Sequence, residues 1–168
     1  LLELTKKYYV EKKAEKIAND LKKLAIKQEQ LANSPDVTEK KQELLNNAFE
    51  KIKKDLEELE KENKELKNPV ALNNDKKAEE TVAEEQEKAT DNIKKNKKQK
   101  ASKNQKKAAK KMLEMSESMQ QMMQMQSGEQ LEEDTKMLRQ ILDNLIFYSF
   151  DQEEVMKEIQ AIDKDNVT

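Results

Sequence analysis

The chain has 168 residues, 40% of them charged and 35% hydrophobic, with a formal net charge of −2. One Gly (Gly128) and two Pro (Pro35, Pro69) leave little material for the turns of a β or loop-rich fold. With no Cys and no His, the chain lacks disulfides, thiolate nucleophiles, thiolate metal sites and the commonest general base.

Glu, Lys, Gln, Leu, Ala and Met dominate, and these side chains lose little rotamer freedom in a helix. The composition is that of long helices or coiled coils, which bury narrow apolar seams. The small net charge hides segregation. Residues 1–32 carry about +3, 33–68 about −2, 69–126 about +4 and 127–168 about −7.

In chain order, Val10, Ala14, Ile17, Leu21, Leu24, Gln28 and Leu31 step 4-3-4-3-4-3, a heptad seam that predicts a helix over residues 2–32. Asn33-Ser34-Pro35-Asp36 interrupts it, since proline blocks helix continuation. Thr38 is a candidate N-cap for the next helix, residues 38–67. Its seam is Leu45, Phe49, Ile52, Leu56, Leu59, Asn63 and Leu66. Folding back at the proline sets Leu31 against Leu45, Leu24 against Ile52, Ile17 against Leu59 and Val10 against Leu66. The expectation is an antiparallel coiled-coil hairpin over 1–68, about 45 Å long. Gln28 is expected near Phe49 and Asn63 near Ala14, as single polar positions that fix register.

Asn68-Pro69 through Asp75 form the next break. Residues 69–128 then predict a long third helix with a Lys-rich middle and a Met-rich end. Its seam starts as Val82, Gln86, Ala89 and Ile93, continues poorly through Lys97, Ala101, Gln105 and Ala108, and resumes as Met112, Met115, Met119 and Met122. The shift predicts a stutter, with the helix continuous or bent near 94–105. Gly128 is expected to turn the chain into a C-terminal helical end, 129–168, packing on the Met-rich segment. Leu131, Leu138, Ile141, Leu142, Leu145 and Ile146 form its apolar face. Asp151 and Glu154 suggest a capping box for a last helix to about Ile162, with Val155, Met156 and Ile159 inside. The fold class is all-α, an elongated helical bundle.

Three features invite functional readings. Ten lysines between Lys94 and Lys111, with no acid among them, suggest a polyanion site. Their scatter around the helix, the single Arg (Arg139) and the lack of interleaved aromatics disfavour nucleic acid. The missing apolar face disfavours a membrane-surface helix. Solvated lysines, or lysines paired with acidic segments of the same chain, are the favoured reading.

The methionines Met112 to Met125 could present an adaptable apolar groove or bind Cu(I), but their 3-4-3 spacing favours a core seam. Leu145-Ile146-Phe147-Tyr148-Ser149-Phe150 favours core, or an exposed protein-binding patch where it remains uncovered. The candidate partner-binding residues are therefore Met115, Met119, Met122, Met123, Phe147 and Phe150. Paired carboxylates such as Glu57/Glu58 suit exposed helix faces, and one Gly cannot build a phosphate loop. No catalytic, cofactor-binding or metal-binding residues are expected, and no enzyme activity.

Leu24-Ala25-Ile26-Lys27-Gln28-Glu29-Gln30-Leu31-Ala32, Ala108-Ala109-Lys110-Lys111-Met112, Leu138-Arg139-Gln140-Ile141-Leu142-Asp143-Asn144-Leu145 and Ser149-Phe150-Asp151-Gln152-Glu153 resemble stretches of a family of large, uncharacterised Bacteroidota envelope proteins. The resemblance implies a fragment of the long, charged, extramembrane helical body that follows N-terminal membrane helices. It implies an envelope, periplasmic-side setting and supplies no activity.

No signal peptide or membrane span is visible, and Leu1 opens in a helical pattern, as a piece of a longer protein would. Any membrane contact is expected only through regions outside these residues. The leading expectation is a structural, scaffolding segment acting through protein–protein contacts, with homo-oligomerisation open. The alternatives are a binding module whose Met-rich, aromatic end receives a hydrophobic peptide or helix, and electrostatic binding through 94–111.

Overall fold

A computed structural model describes the backbone of residues 2–165, with side chains described through residue 126 and at most positions from there to Met156. It contains four helices: α1 (Leu2–Asn33), α2 (Glu39–Lys64), α3 (Lys76–Lys94) and α4 (Lys98–Asp165). The chain divides into two compact units, Leu1–Gln126 and Ser127–Thr168.

The first unit is a four-helix bundle. Every α1 seam position from Val10 to Leu31 is buried, and so are Phe49, Ile52, Leu56, Leu59 and Leu66 opposite, with Leu45 partly buried. Lys13 Nζ reaches Glu62 Oε1 at 2.9 Å and Gln28 bonds Gln42, so α1 and α2 run antiparallel. Asn46 bonds Thr90 and Lys94 pairs with Glu39, so α3 runs antiparallel to α2.

Asn104 donates to Glu85, which sets α4 antiparallel to α3. Ser102 and Ser116 donate to the Ala32 and Ala18 carbonyls at 2.7 and 2.6 Å, which closes α4 back onto α1. The order is up-down-up-down.

The expected long third helix is instead two antiparallel ones. α3 ends at Lys94, and Asn96 takes φ 58°, the left-handed conformation that asparagine tolerates better than most residues. Asn96 N–H donates to the Ile93 carbonyl and Lys97 N–H to the Asn92 carbonyl, a Schellman closure of the helix end. The seam that seemed to stutter is therefore two seams, one on each side of a tight turn. In α4, Ala101, Gln105, Ala108, Met112, Met115 and Met119 are all buried on one heptad line.

The α1–α4 contact rests on small residues. Ala18, Ala25 and Ala32 recur every seven residues and are buried. The two serine bonds place Ala18 beside Ser116 and Ala32 beside Ser102, with Ala25 and Ala109 midway. Small side chains let the backbones approach closely enough for the hydroxyls to reach main-chain carbonyls.

The caps follow local chemistry. Thr38 Oγ1 accepts from Lys41 N–H, as expected, and Asp75 Oδ1 accepts from Ala78 N–H. Asn63 holds the segment that follows α2. Its amide brackets Val70, accepting from Val70 N–H at 2.7 Å and donating to Val70 C=O at 2.8 Å. That clamp folds the α2–α3 connection over the end of the bundle, burying Leu66 and Val70.

In the second unit, the turn expected at Gly128 is not made. Ser127 and Gly128 lie within α4, and a Cβ at Gly128 would meet nothing within 4 Å. The docked apolar face is likewise absent, because Leu131, Leu138, Ile141, Leu142, Leu145 and Ile146 are all exposed. A glycine inside a helix costs only about 1 kcal/mol relative to alanine, which is too little to force a turn. No break separates the residues after Asp151 from those before it.

Candidate interaction surface

The bundle core contains one glutamine from each helix: Gln28, Gln42, Gln86 and Gln105, each at most 2% exposed. Gln28 and Gln42 exchange amide bonds of 2.9 and 3.0 Å. Gln86 donates to Gln28 Oε1 at 3.0 Å and Gln105 to Gln42 Oε1 at 2.8 Å, both across the bundle diagonal. Gln42 also donates to Asn46, and Asn46 to the Thr90 hydroxyl. Only Gln105 Oε1 in this layer lacks a partner.

Amides carry no charge and do not titrate, so the layer has no acid–base chemistry. It can specify register, because any sliding of one helix strands buried donors and acceptors. Gln42 was not anticipated as the partner of Gln28 from the sequence. The layer's signal was present, one buried glutamine on every helix, but it needed the break at Asn96 to count four helices.

The lysine run falls at one end of the bundle. The 34–38 and 95–97 turns share that end, as the Lys94–Glu39 ion pair at 3.0 Å requires. Lys107 lies 3.8 Å from the buried Glu85, and Lys111 bonds Glu114, so part of the run is neutralised within the chain. The Glu39 carboxylate beside Lys94 holds that ammonium above its ordinary pKa. Among the described residues, Lys95, Lys97, Lys100, Lys103 and Lys106 have no carboxylate within ion-pair distance. α4 also begins there without an acid in its first turn, so its positive helix end adds to the field.

The expected partner-binding methionines divide. Met115 and Met119 are buried in the bundle core and cannot receive a partner in the folded state, a correction that follows from the unbroken α4 seam. Met122 and Met123 are half-buried where that seam ends, and Met125 is exposed. The side chains of Phe147 and Phe150 lie outside the described residues.

The large uncovered apolar surface is farther along the chain. Leu131, Met137, Leu138, Ile141, Leu142, Leu145, Ile146 and Tyr148 are 45–68% exposed. At 100° per residue they occupy about half the circumference of the helix. The opposite face carries Glu132, Glu133, Lys136, Gln140 and Asp143. Apolar patches of this extent on a soluble surface ordinarily mark sites of association. No helix among the described residues is long and apolar enough to cross a membrane.

A second surface lies on the bundle, a shallow groove of about 540 Å³ between α1 and α2 near the 34–38 turn. Leu24, Leu31, Leu44 and Ala48 line it, and Lys27 and Lys41 stand at it. Leu44 is 62% exposed. No protein-family model, curated protein or solved structure matches this chain.

Proposed function

We propose that this chain is a non-enzymatic scaffolding segment of a larger, envelope-associated protein, in which the 1–126 bundle is the folded support and the 127–165 helix docks a protein partner. The observation that carries the reading is the exposed stripe from Leu131 to Tyr148. An isolated helix gains little from propensity alone, so an apolar face of this width implies burial in an assembly. The envelope setting rests on the resemblance of 138–145 and 149–153 to the Bacteroidota family.

The alternative of a Met-lined receptor for a hydrophobic peptide loses Met115 and Met119 to the core. Met122, Met123 and the apolar stripe still support docking at the C-terminal side.

The test is site-specific photo-crosslinking in the native host, with the probe at Leu138 or, as control, at Gln140 on the opposite face. Protein adducts from Leu138 and none from Gln140 support the reading. Equal yields from the two positions, or no adduct from either, overturn it.

A further inference from the structure

Resting on that reading, we propose that the partner is a second copy of this chain, whose α1–α2 groove receives the acidic helix of the first, head to tail. Three observations converge. The groove offers an apolar floor of Leu24, Leu31 and Ala48, walled by the exposed Leu44. From Leu24 to Leu31 it runs along about 10 Å of helix, two turns, the same length as the Leu138-Ile141-Leu142-Leu145 segment.

Charge supplies the choice of occupant. Residues 127–168 sum to about −7, whereas 1–126 sum to about +5, with the excess lysines gathered at the end where the groove lies. Two acidic helices packed on each other would oppose like charges. An acidic helix on the lysine-bearing groove pairs opposite ones. Lys27, beside the groove, has no carboxylate within ion-pair distance among the described residues, so it is available to a carboxylate of an incoming helix.

The geometry of such a contact differs from that of a symmetric dimer. Groove and helix are different surfaces, so each copy retains one free groove or one free helix after pairing. Head-to-tail contacts of this kind grow unless the rotation closes a ring. The bundle is then a repeating support in an assembly rather than a monomeric spacer.

Mixing two variants tests this. One carries Lys27→Glu and Leu44→Glu in the groove, the other Leu138→Glu and Leu145→Glu in the helix. All four positions are exposed, and circular dichroism melts check that both variants keep the parent bundle. Sedimentation of the full chain from about 1 to 300 µM spans the range of weak contacts. The expected parent result is an average mass that rises with concentration, falls with added salt, and does not stop at two chains unless a ring closes.

Each variant alone is expected to remain a single chain, and an equimolar mixture to form a two-chain species and nothing larger. A parent that stays monomeric throughout overturns the proposal. So does a groove variant that still self-associates, or a mixture that does not pair. Adducts from the Leu138 probe that contain some other protein, with a monomeric parent, would overturn self-docking while leaving the docking function in place.

Discussion

Replacing Gln28 alone and replacing all four core glutamines together should change stability in opposite directions. Gln28 is fully buried and makes three amide bonds of 2.9 to 3.0 Å, two with Gln42 and one with Gln86. In Gln28→Leu, the Gln42 amide keeps its bonds to Asn46 and Gln105. The Gln86 Nε2 donor loses its Gln28 acceptor and is left buried. One stranded donor costs about 1–3 kcal/mol, partly offset by the added apolar area.

At about 4 °C per kcal/mol for a domain of this size, the bundle should melt up to roughly 4–12 °C lower. The quadruple Gln→Leu chain strands no donor in the layer and removes the orphan Gln105 Oε1. It should melt at or above the parent, because apolar replacement of a whole buried polar network is commonly neutral or stabilising. Its loss is uniqueness, read as several association states in light scattering. Thermal melts of the parent and the two variants by circular dichroism decide the matter. If the quadruple chain melts below Gln28→Leu, the layer is a net source of stability and the reasoning fails.

Asn63→Ala should cost about 2–4 kcal/mol, since it strands both the N–H and the carbonyl of buried Val70. Unfolding in urea measures this, and a change below about 0.5 kcal/mol would refute the clamp. Gly128→Ala should slow hydrogen exchange at neighbouring amides about fivefold, the equivalent of about 1 kcal/mol of helix propensity. Faster exchange would mean that the glycine forms a turn.

Burial lowers the Lys13 pKa, but its bonds to Glu62 and Glu58 outweigh that and hold it above the ordinary 10.5. Its contribution is therefore fully present below pH 10.5 and lost as pH rises through the higher folded value. The parent should out-melt Lys13→Gln by a margin of about 0.2–1 kcal/mol at pH 8 that closes as pH rises through the raised folded value. A margin that persists at high alkaline pH would refute the pairing.

The hairpin was legible because aliphatic residues at heptad spacing leave one burial solution, and the two seams reinforce each other. The hydrogen-bond partner of Gln28 was missed, since the α2 seam was counted from Leu45 and Gln42 lies one step before it. The 95–97 turn was hidden inside a lysine run, where only Asn96 marks a left-handed helix end and where glycine is the stronger signal. Gly128 carried that stronger signal and is helical all the same, because intrinsic preference is weak beside the continuity of the flanking helix. The alanine row at 18, 25 and 32 was passed over because alanine counts for little in an apolar scan. It becomes visible only when a second row of small residues, 102, 109 and 116, faces it. Met115 and Met119 are core, as their 3-4-3 spacing favoured, but they close the four-helix bundle instead of packing on a helix turned back at Gly128.

That alanine row has a consequence for how the protein is made. Its mates on α4 follow it by 70 to 98 positions along the chain, judged from the serine bonds. During synthesis, which delivers the N-terminus first, α1 can zip to α2 as soon as residue 66 emerges. Its other flank stays bare until Ser116 has left the ribosome. A nascent chain thus spends the translation of about fifty residues with its small-residue stripe uncovered, which at ordinary ribosomal rates is several seconds. Alanine makes that wait a safe one, since it offers little for another nascent chain to grip.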